Sequence, residues 1–294
     1  MRSPRLVLVA LVAVLVSPLT ALAVPDPNGA DAARSDIKAT LGFVPGFLAA
    51  FPDEAIAGAW SEFKSVQGNP KSAITPKYKE LIGLAVAAQV PCEYCVYFHT
   101  KAAIANGATE REVKEAVTMA SVVRHWSTFL NGSAIDETRF ERELDQVIKH
   151  ALAPKKSPEA PALPVTDASS ARADIKATLG LVPGFFDLFP KEGLAGAWRE
   201  FKGFQLNPNT AIPPKEKELI GLAVAAQIPC RYCVVFHTKV ATKLAGASQA
   251  ELSEAVAMAS IVRHWSTFLH GAQIDKRAFM DEVDRLFPSQ SSGR

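Results

Sequence analysis

The chain is written twice, and this constrains its fold more than any other feature. Residues 36–42 (DIKATLG) return as residues 174–180, an offset of 138. The same offset carries Trp60 to Trp198, Pro70 to Pro208 and His99 to His237. Between 73–100 and 211–238, 23 of 28 positions are identical. Further on the offset becomes 139, taking Gly107 to Gly246 and His125 to His264, so the second copy holds one extra residue between Lys239 and Gly246. A unit of about 120 residues is far longer than a solenoid repeat and matches a whole domain. The repeat therefore predicts two tandem homologous domains, over residues 31–150 and 169–288.

Composition supports folded domains and narrows their partners. Of 294 residues 48% are apolar, enough for real cores. Thirty-two basic against 30 acidic side chains give no electrostatic footing for nucleic acid or an anionic membrane. Four cysteines are too few for a disulfide-built scaffold. Residues 151–168 hold four prolines among small and polar residues and predict a semi-extended linker. Residues 289–294 form a polar tail. At the other end Arg2 and Arg5 precede an apolar run from Leu6 to Val16, then Pro18 and Ala21-Leu22-Ala23. That order predicts a signal peptide over residues 1–23, cleaved after Ala23, and a periplasmic or secreted protein with no membrane anchor once mature. An uncleaved N-terminal anchor is the competing reading. Arg2 and Arg5 also account for the whole formal charge of +2.

Each unit reads as all-α. Thr109-Glu110-Arg111-Glu112 and Ser248-Gln249-Ala250-Glu251 are capping boxes, each preceded by a glycine (Gly107, Gly246) placed to close the helix before it. Pro76 and Pro214 suit a first helical turn, and Pro91 and Pro229 suit a break between two helices. The apolar run over 81–89 is rich in alanine rather than β-branched residues, which favours a buried helix. No segment alternates with the period of a strand.

All four cysteines lie in Cys92-Glu93-Tyr94-Cys95 and Cys230-Arg231-Tyr232-Cys233, followed by His99 and His237. On a helix, positions i, i+3 and i+7 share one face, so two sulfurs and an imidazole converge in each copy. Pro91 puts Cys92 in the first turn, where the helix dipole favours a thiolate. The imidazole carries protons near neutral pH, and two thiols at this spacing can close a disulfide. These parts make a redox site with its own resolving thiol, one per domain and independent of its twin. Glu80, matched by Glu218, opens the preceding apolar helix. It either faces the Cys/His stripe and orients the imidazole, or is a solvated glutamate near a helix N-terminus.

Glu80-x11-Cys92-x2-Cys95-x3-His99, with the Gly107-Ala108-Thr109 turn and capping box after it, resembles the alkylhydroperoxidase D/carboxymuconolactone decarboxylase superfamily. Residues 41–47 (LGFVPGF) resemble the entry segment of its peroxidase-related branch. The match recurs in the second unit. The resemblance implies an all-helical fold and thiol-dependent reduction of hydroperoxides, without a bound cofactor and with an external dithiol as electron donor. It implies Cys95 and Cys233 as the sulfurs that attack peroxide, and Cys92 and Cys230 as the resolving ones. His99 with Glu80, and His237 with Glu218, would be the proton relays. Decarboxylase members lack the paired cysteines, which disfavours lactone decarboxylation. Where relatives can carry a histidine between the cysteines this chain has Tyr94 and Tyr232. Relatives associate through their helices, which implies a pseudo-dimer within this chain and room for further homo-oligomerisation.

Rival readings remain at this point. Two cysteines, a histidine and Glu80 make a four-ligand zinc set. The cysteine pairs could be structural clasps in a non-enzymatic helical module, although a bridge across two residues adds little by chain entropy. A thiol–disulfide oxidoreductase acting on proteins is a further alternative. Covalent haem is excluded, because Val96 follows Cys95. His125 and His264, beside Trp126 and Trp265, read as packed core histidines, and Trp60 and Trp198 as core or interface aromatics.

Overall fold

The computed structural model describes residues 29–154 and 164–288. The predicted signal peptide, the tail and most of the proline-rich linker lie outside these residues. The first half contains α1 (Ala30–Leu41), α2 (Gly46–Ala49), α3 (Asp53–Val66), α4 (Pro76–Gln89), α5 (Glu93–Ala105), α6 (Glu110–Gly132) and α7 (Glu137–Leu152). The second half repeats the order with α8 (Ala168–Leu179), α9 (Phe185–Leu188), α10 (Lys191–Glu200), α11 (Pro214–Gln227), α12 (Arg231–Lys243), α13 (Gln249–Gly271) and α14 (Lys276–Leu286). Among the described residues there is no strand, and no helix is long and apolar enough to cross a membrane. The fold is all-α, as the sequence predicts.

Local chemistry sets the helix ends. Gly42 and Gly180 close α1 and α8 at φ +83° and +82°, a conformation that costs residues with a Cβ. Pro76 and Pro214 start α4 and α11. Both capping boxes form, with Thr109 Oγ1 accepting from Glu112 N at 3.1 Å and Ser248 Oγ from Glu251 N at 3.2 Å. Thr109→Ala or Ser248→Ala should each cost about 1 kcal/mol, which in a chain of this size lowers Tm by about 2–4 °C in a thermal melt. The extra residue of the second copy is absorbed in the turn after α12, where Ala247 N reaches back to Ala241 O, one residue further than Ala108 N to Ala103 O. One departure carries no signature in the sequence: Phe201–Gln205 forms a π-helical turn, where the first half runs on as α-helix to Val66.

The core belongs to both halves at once. Helices α4 and α11 are buried on all sides from Lys79 to Ala87 and from Lys217 to Ala225. They touch each other, and each touches both α6 and α13. Trp126 of α6 packs among Phe185, Phe186 and Phe189 of the second half, with ring centroids 5.6–5.7 Å apart. Trp265 packs reciprocally on Phe47 and Phe51, at 5.5 and 5.1 Å. Glu282 accepts from Gly46 N at 2.9 Å, and Glu143 from Gly184 N at 2.8 Å, so each half's carboxylate caps a helix of the other. Glu115 accepts from Ala211 N and Ile212 N, and Glu254 from Ile74 N.

His125 and His264 correct the sequence reading. Both are exposed, because they point away from the core on α6 and α13 while Trp126 and Trp265, one residue on, point inward. His125 lies parallel to Phe189 at 6.0 Å, and His264 against Phe51 at 5.6 Å. Trp60 and Trp198 are core residues whose Nε1 groups donate to Asp36 and Asp174 at 2.7 and 2.6 Å. Lys64 and Lys202 bind the same carboxylates. The bonds from Lys64 and Trp60 hold Asp36 below its ordinary pKa.

Candidate active site

Helices α4 and α5 form a hairpin around Val90 and Pro91, and this brings together residues far apart in sequence. Cys92 sits at the N-cap of α5, one position before the first turn expected, and its Sγ accepts from Cys95 N at 3.2 Å. Cys92 and Cys95 form a disulfide with Cα atoms 5.3 Å apart, and so do Cys230 and Cys233. In the second site Cys230 caps α12 and accepts from Cys233 N at 3.2 Å.

Both glutamates turn inward rather than to solvent. Glu80 Oε2 lies 2.7 Å from His99 Nδ1, and Glu218 Oε2 lies 2.7 Å from His237 Nδ1. A carboxylate on Nδ1 fixes the ring and leaves Nε2 as the nitrogen free to exchange a proton. All four side chains are buried. Of the two alternatives for Glu80, orientation of the imidazole is the one realised. Its other oxygen takes Gln67 Nε2 at 3.1 Å, and Glu218 takes Gln205 Nε2 at 2.6 Å.

Two further pairs of residues belong to the site and escaped the sequence reading. Gln67 and Gln205 hold the glutamates, and their recurrence at offset 138 was the available signal. Gly83 and Gly221 form the floor under the imidazoles: a Cβ at Gly83 would lie 2.4 Å from His99 Cε1, and one at Gly221 would lie 2.3 Å from His237 Cε1. Glycine in the middle of an alanine-rich helix costs about 1 kcal/mol, so its presence in both copies signalled a close approach. Next to each glutamate is a fully buried lysine. Lys79 Nζ donates to Val66 O, Asn69 O and Ser72 Oγ, and Lys217 Nζ to Phe204 O and Asn207 O. Burial pushes both lysines below their ordinary pKa. They tie the segment after α3 or α10 to the base of the site.

The sulfurs of each pair differ in access. Cys95 and His99 line a cavity of about 40 Å³, and Cys233 and His237 line one of about 230 Å³. Cys92 and Cys230 are fully buried behind them. Neither site is independent, which corrects the expectation of separate sites. The first cavity is walled by Ile261, Val262, Trp265 and Phe279, and the second by Val122, Val123, Trp126 and Phe140. Long helices from one half cover the thiols of the other because their apolar faces have no other core to enter. Tyr94 and Tyr232 serve the same junction: their hydroxyls donate to Ile274 O and Ile135 O across the halves. Among the described residues no three His, Cys, Asp or Glu side chains converge as a metal cage.

Comparison with known proteins agrees with this architecture. None of the curated proteins compared with the chain matches it. A chain assigned as a gamma-carboxymuconolactone decarboxylase subunit, from Burkholderia xenovorans LB400, is similar in structure over 88% of this chain and 95% of its own length. The TM-score is 0.52 and the identity 18%, a likeness of fold. The model of the carboxymuconolactone decarboxylase family matches residues 54–138 and 192–276. Each stretch runs from α3 or α10 through the thiol helix to the start of α7 or α14. Matched twice, over more than half its length, the chain belongs to the carboxymuconolactone decarboxylase family.

Proposed function

We propose that the protein is a thiol peroxidase that reduces hydroperoxides at two CxxC sites. The observation that carries this reading is the pairing, in each cavity, of one accessible sulfur with an imidazole held by a buried carboxylate. In the reduced protein the Cys95 thiolate attacks the terminal peroxide oxygen. The O–O bond breaks, the sulfur becomes a sulfenic acid, and the departing alkoxide takes a proton through His99. Cys92 then attacks the sulfenic sulfur, releasing water and closing the disulfide. An external dithiol attacks Cys95, the sulfur that faces the cavity. The leaving Cys92 thiolate is stabilised by the Cys95 amide and the helix N-terminus. Cys233, Cys230, His237 and Glu218 take the same roles in the second site.

Access favours small hydroperoxides over protein disulfides. Cys95 and Cys233 are only 4% and 5% exposed, within reach of a small molecule but not of a folded partner. The N-terminal basic and apolar segments support export, with the cycle running outside the cytoplasm.

The test traps the first oxidised sulfur. Reduced Cys92→Ser, Cys230→Ser protein is treated with hydrogen peroxide and dimedone, then mapped by mass spectrometry. The adduct is expected on Cys95 and Cys233. Unlabelled cysteines with the peroxide unconsumed would overturn the reading.

A further inference from the structure

The two sites repeat the same chemistry but not the same space. At the second site one continuous apolar cavity of about 230 Å³ runs from Cys233 and His237 to Ile148. At the first site the equivalent space is split. Cys95 and His99 open on a compartment of about 40 Å³, and a separate one of about 420 Å³ reaches neither of them. Phe47, Phe63, Gln67 and Phe98 line both compartments. Their counterparts Phe185, Phe201, Gln205 and Phe236 line the single cavity of the second site. These shared residues are identical in the two halves, so the division comes from elsewhere.

Several lining positions differ between the copies, among them Leu48 for Phe186, Gly68 for Leu206 and Ala102 for Val240, but these put a smaller side chain at the first site. The one that puts a ring there is where α7 and α14 stop matching. Ile148 lies inside α7, which continues to Leu152, whereas α14 ends at Leu286 and its counterpart Phe287 precedes Pro288. A residue before proline is pushed out of the helical region, and Phe287 sits at φ −126°, ψ 69°. Its ring meets Phe98 edge-on at 5.5 Å, from the side of the larger compartment.

We infer that the two sites divide the hydroperoxides by size, with Phe287 as the determinant: the second site takes a bulky apolar hydroperoxide, and the first one of hydrogen peroxide size. This rests on the thiol peroxidase reading above. An apolar cavity of about 150 Å³ admits a benzene ring, and each water-sized group needs at least about 10–15 Å³. The second cavity therefore accommodates an aryl or branched alkyl hydroperoxide, and the first compartment only a few water-sized groups. At both sites the thiolate takes the terminal oxygen, the remainder leaves as alcohol or water, and an external dithiol returns the two electrons.

The experiment is steady-state turnover of cumene hydroperoxide and hydrogen peroxide by the full chain, with dithiothreitol as donor. Cys95→Ser leaves only the second site working, and Cys233→Ser only the first. The ratio of kcat/KM for cumene hydroperoxide to that for hydrogen peroxide is expected to be at least about tenfold higher in Cys95→Ser, the scale at which a site discriminates by one buried methylene. Phe287→Ile added to Cys233→Ser should raise this ratio, mainly through KM for cumene hydroperoxide. Ile148→Phe added to Cys95→Ser should lower it. Equal ratios in the two single variants overturn the division by size. A ratio unmoved by both Phe287→Ile and Ile148→Phe overturns the role of Phe287. Turnover of neither peroxide by either single variant overturns the underlying peroxidase reading instead.

Discussion

Alanine at both Gly83 and Gly221 is expected to cut peroxide turnover by about a hundredfold, the lower end of what a positioned proton carrier contributes, while the helices stay folded. In an exposed helix this change gains about 1 kcal/mol. Here the new methyl groups would lie 2.4 Å from His99 Nδ1 and 2.5 Å from His237 Nδ1. The ring can move only by leaving Glu80 or Glu218, its partner at 2.7 Å. Overpacking of this kind costs about 1–3 kcal/mol at each site, about 2–6 kcal/mol for the pair, against a total stability of about 5–15 kcal/mol for a folded chain. Circular dichroism should therefore report native helix content while kcat falls. Full turnover with native helix content would show that neither imidazole carries the proton.

Loss of Trp126 should produce the largest fall in stability. Its indole is buried by rings of the opposite half, and truncating a buried tryptophan costs about 3–5 kcal/mol. In a chain of this length that lowers Tm by about 6–20 °C. Trp126 also walls the cavity at Cys233, so Trp126→Ala should alter the kinetics of the second site, measured in a Cys95→Ser background. In a Cys233→Ser background the first site should change far less. A change confined to the first site would mean that the halves fold and work separately.

What could be read in the sequence was local. The capping boxes, the prolines that open α4 and α11, and the glycines that close helices each act within four residues, and all appear as predicted. The Cys/His stripe was legible because one helix carries it. The Glu80–His99 pair, 19 residues apart, was open until the hairpin at Pro91 settled it. Gln67 bonds Glu80 across an irregular segment with no period to follow. His125 was misjudged because adjacent helix positions point about 100° apart, so a neighbour to a buried tryptophan can face water. The π-helical turn at Phe201–Gln205 has no local cue, since residues 201–205 (FKGFQ) differ little from residues 63–67 (FKSVQ), which do not form one. The far wall of each site could not be read from either copy alone, because it comes from the other, while Phe63 and Phe98, or Phe201 and Phe236, line the site from its own copy.

That crossing has a consequence for inheritance. The side chain at position 148 is encoded with Cys95 yet shapes the cavity of Cys233, and Phe287 is encoded with Cys233 yet packs beside the site of Cys95. Each thiol therefore passes down with one side of its pocket, and the other side passes down in the opposite copy of the repeat. A chain assembled from two second halves keeps the chemistry of Cys233 and its own half of the lining but closes the far side with the α13 and α14 residues that wall the first site. Drift in either copy is felt in its twin's site as well as in its own.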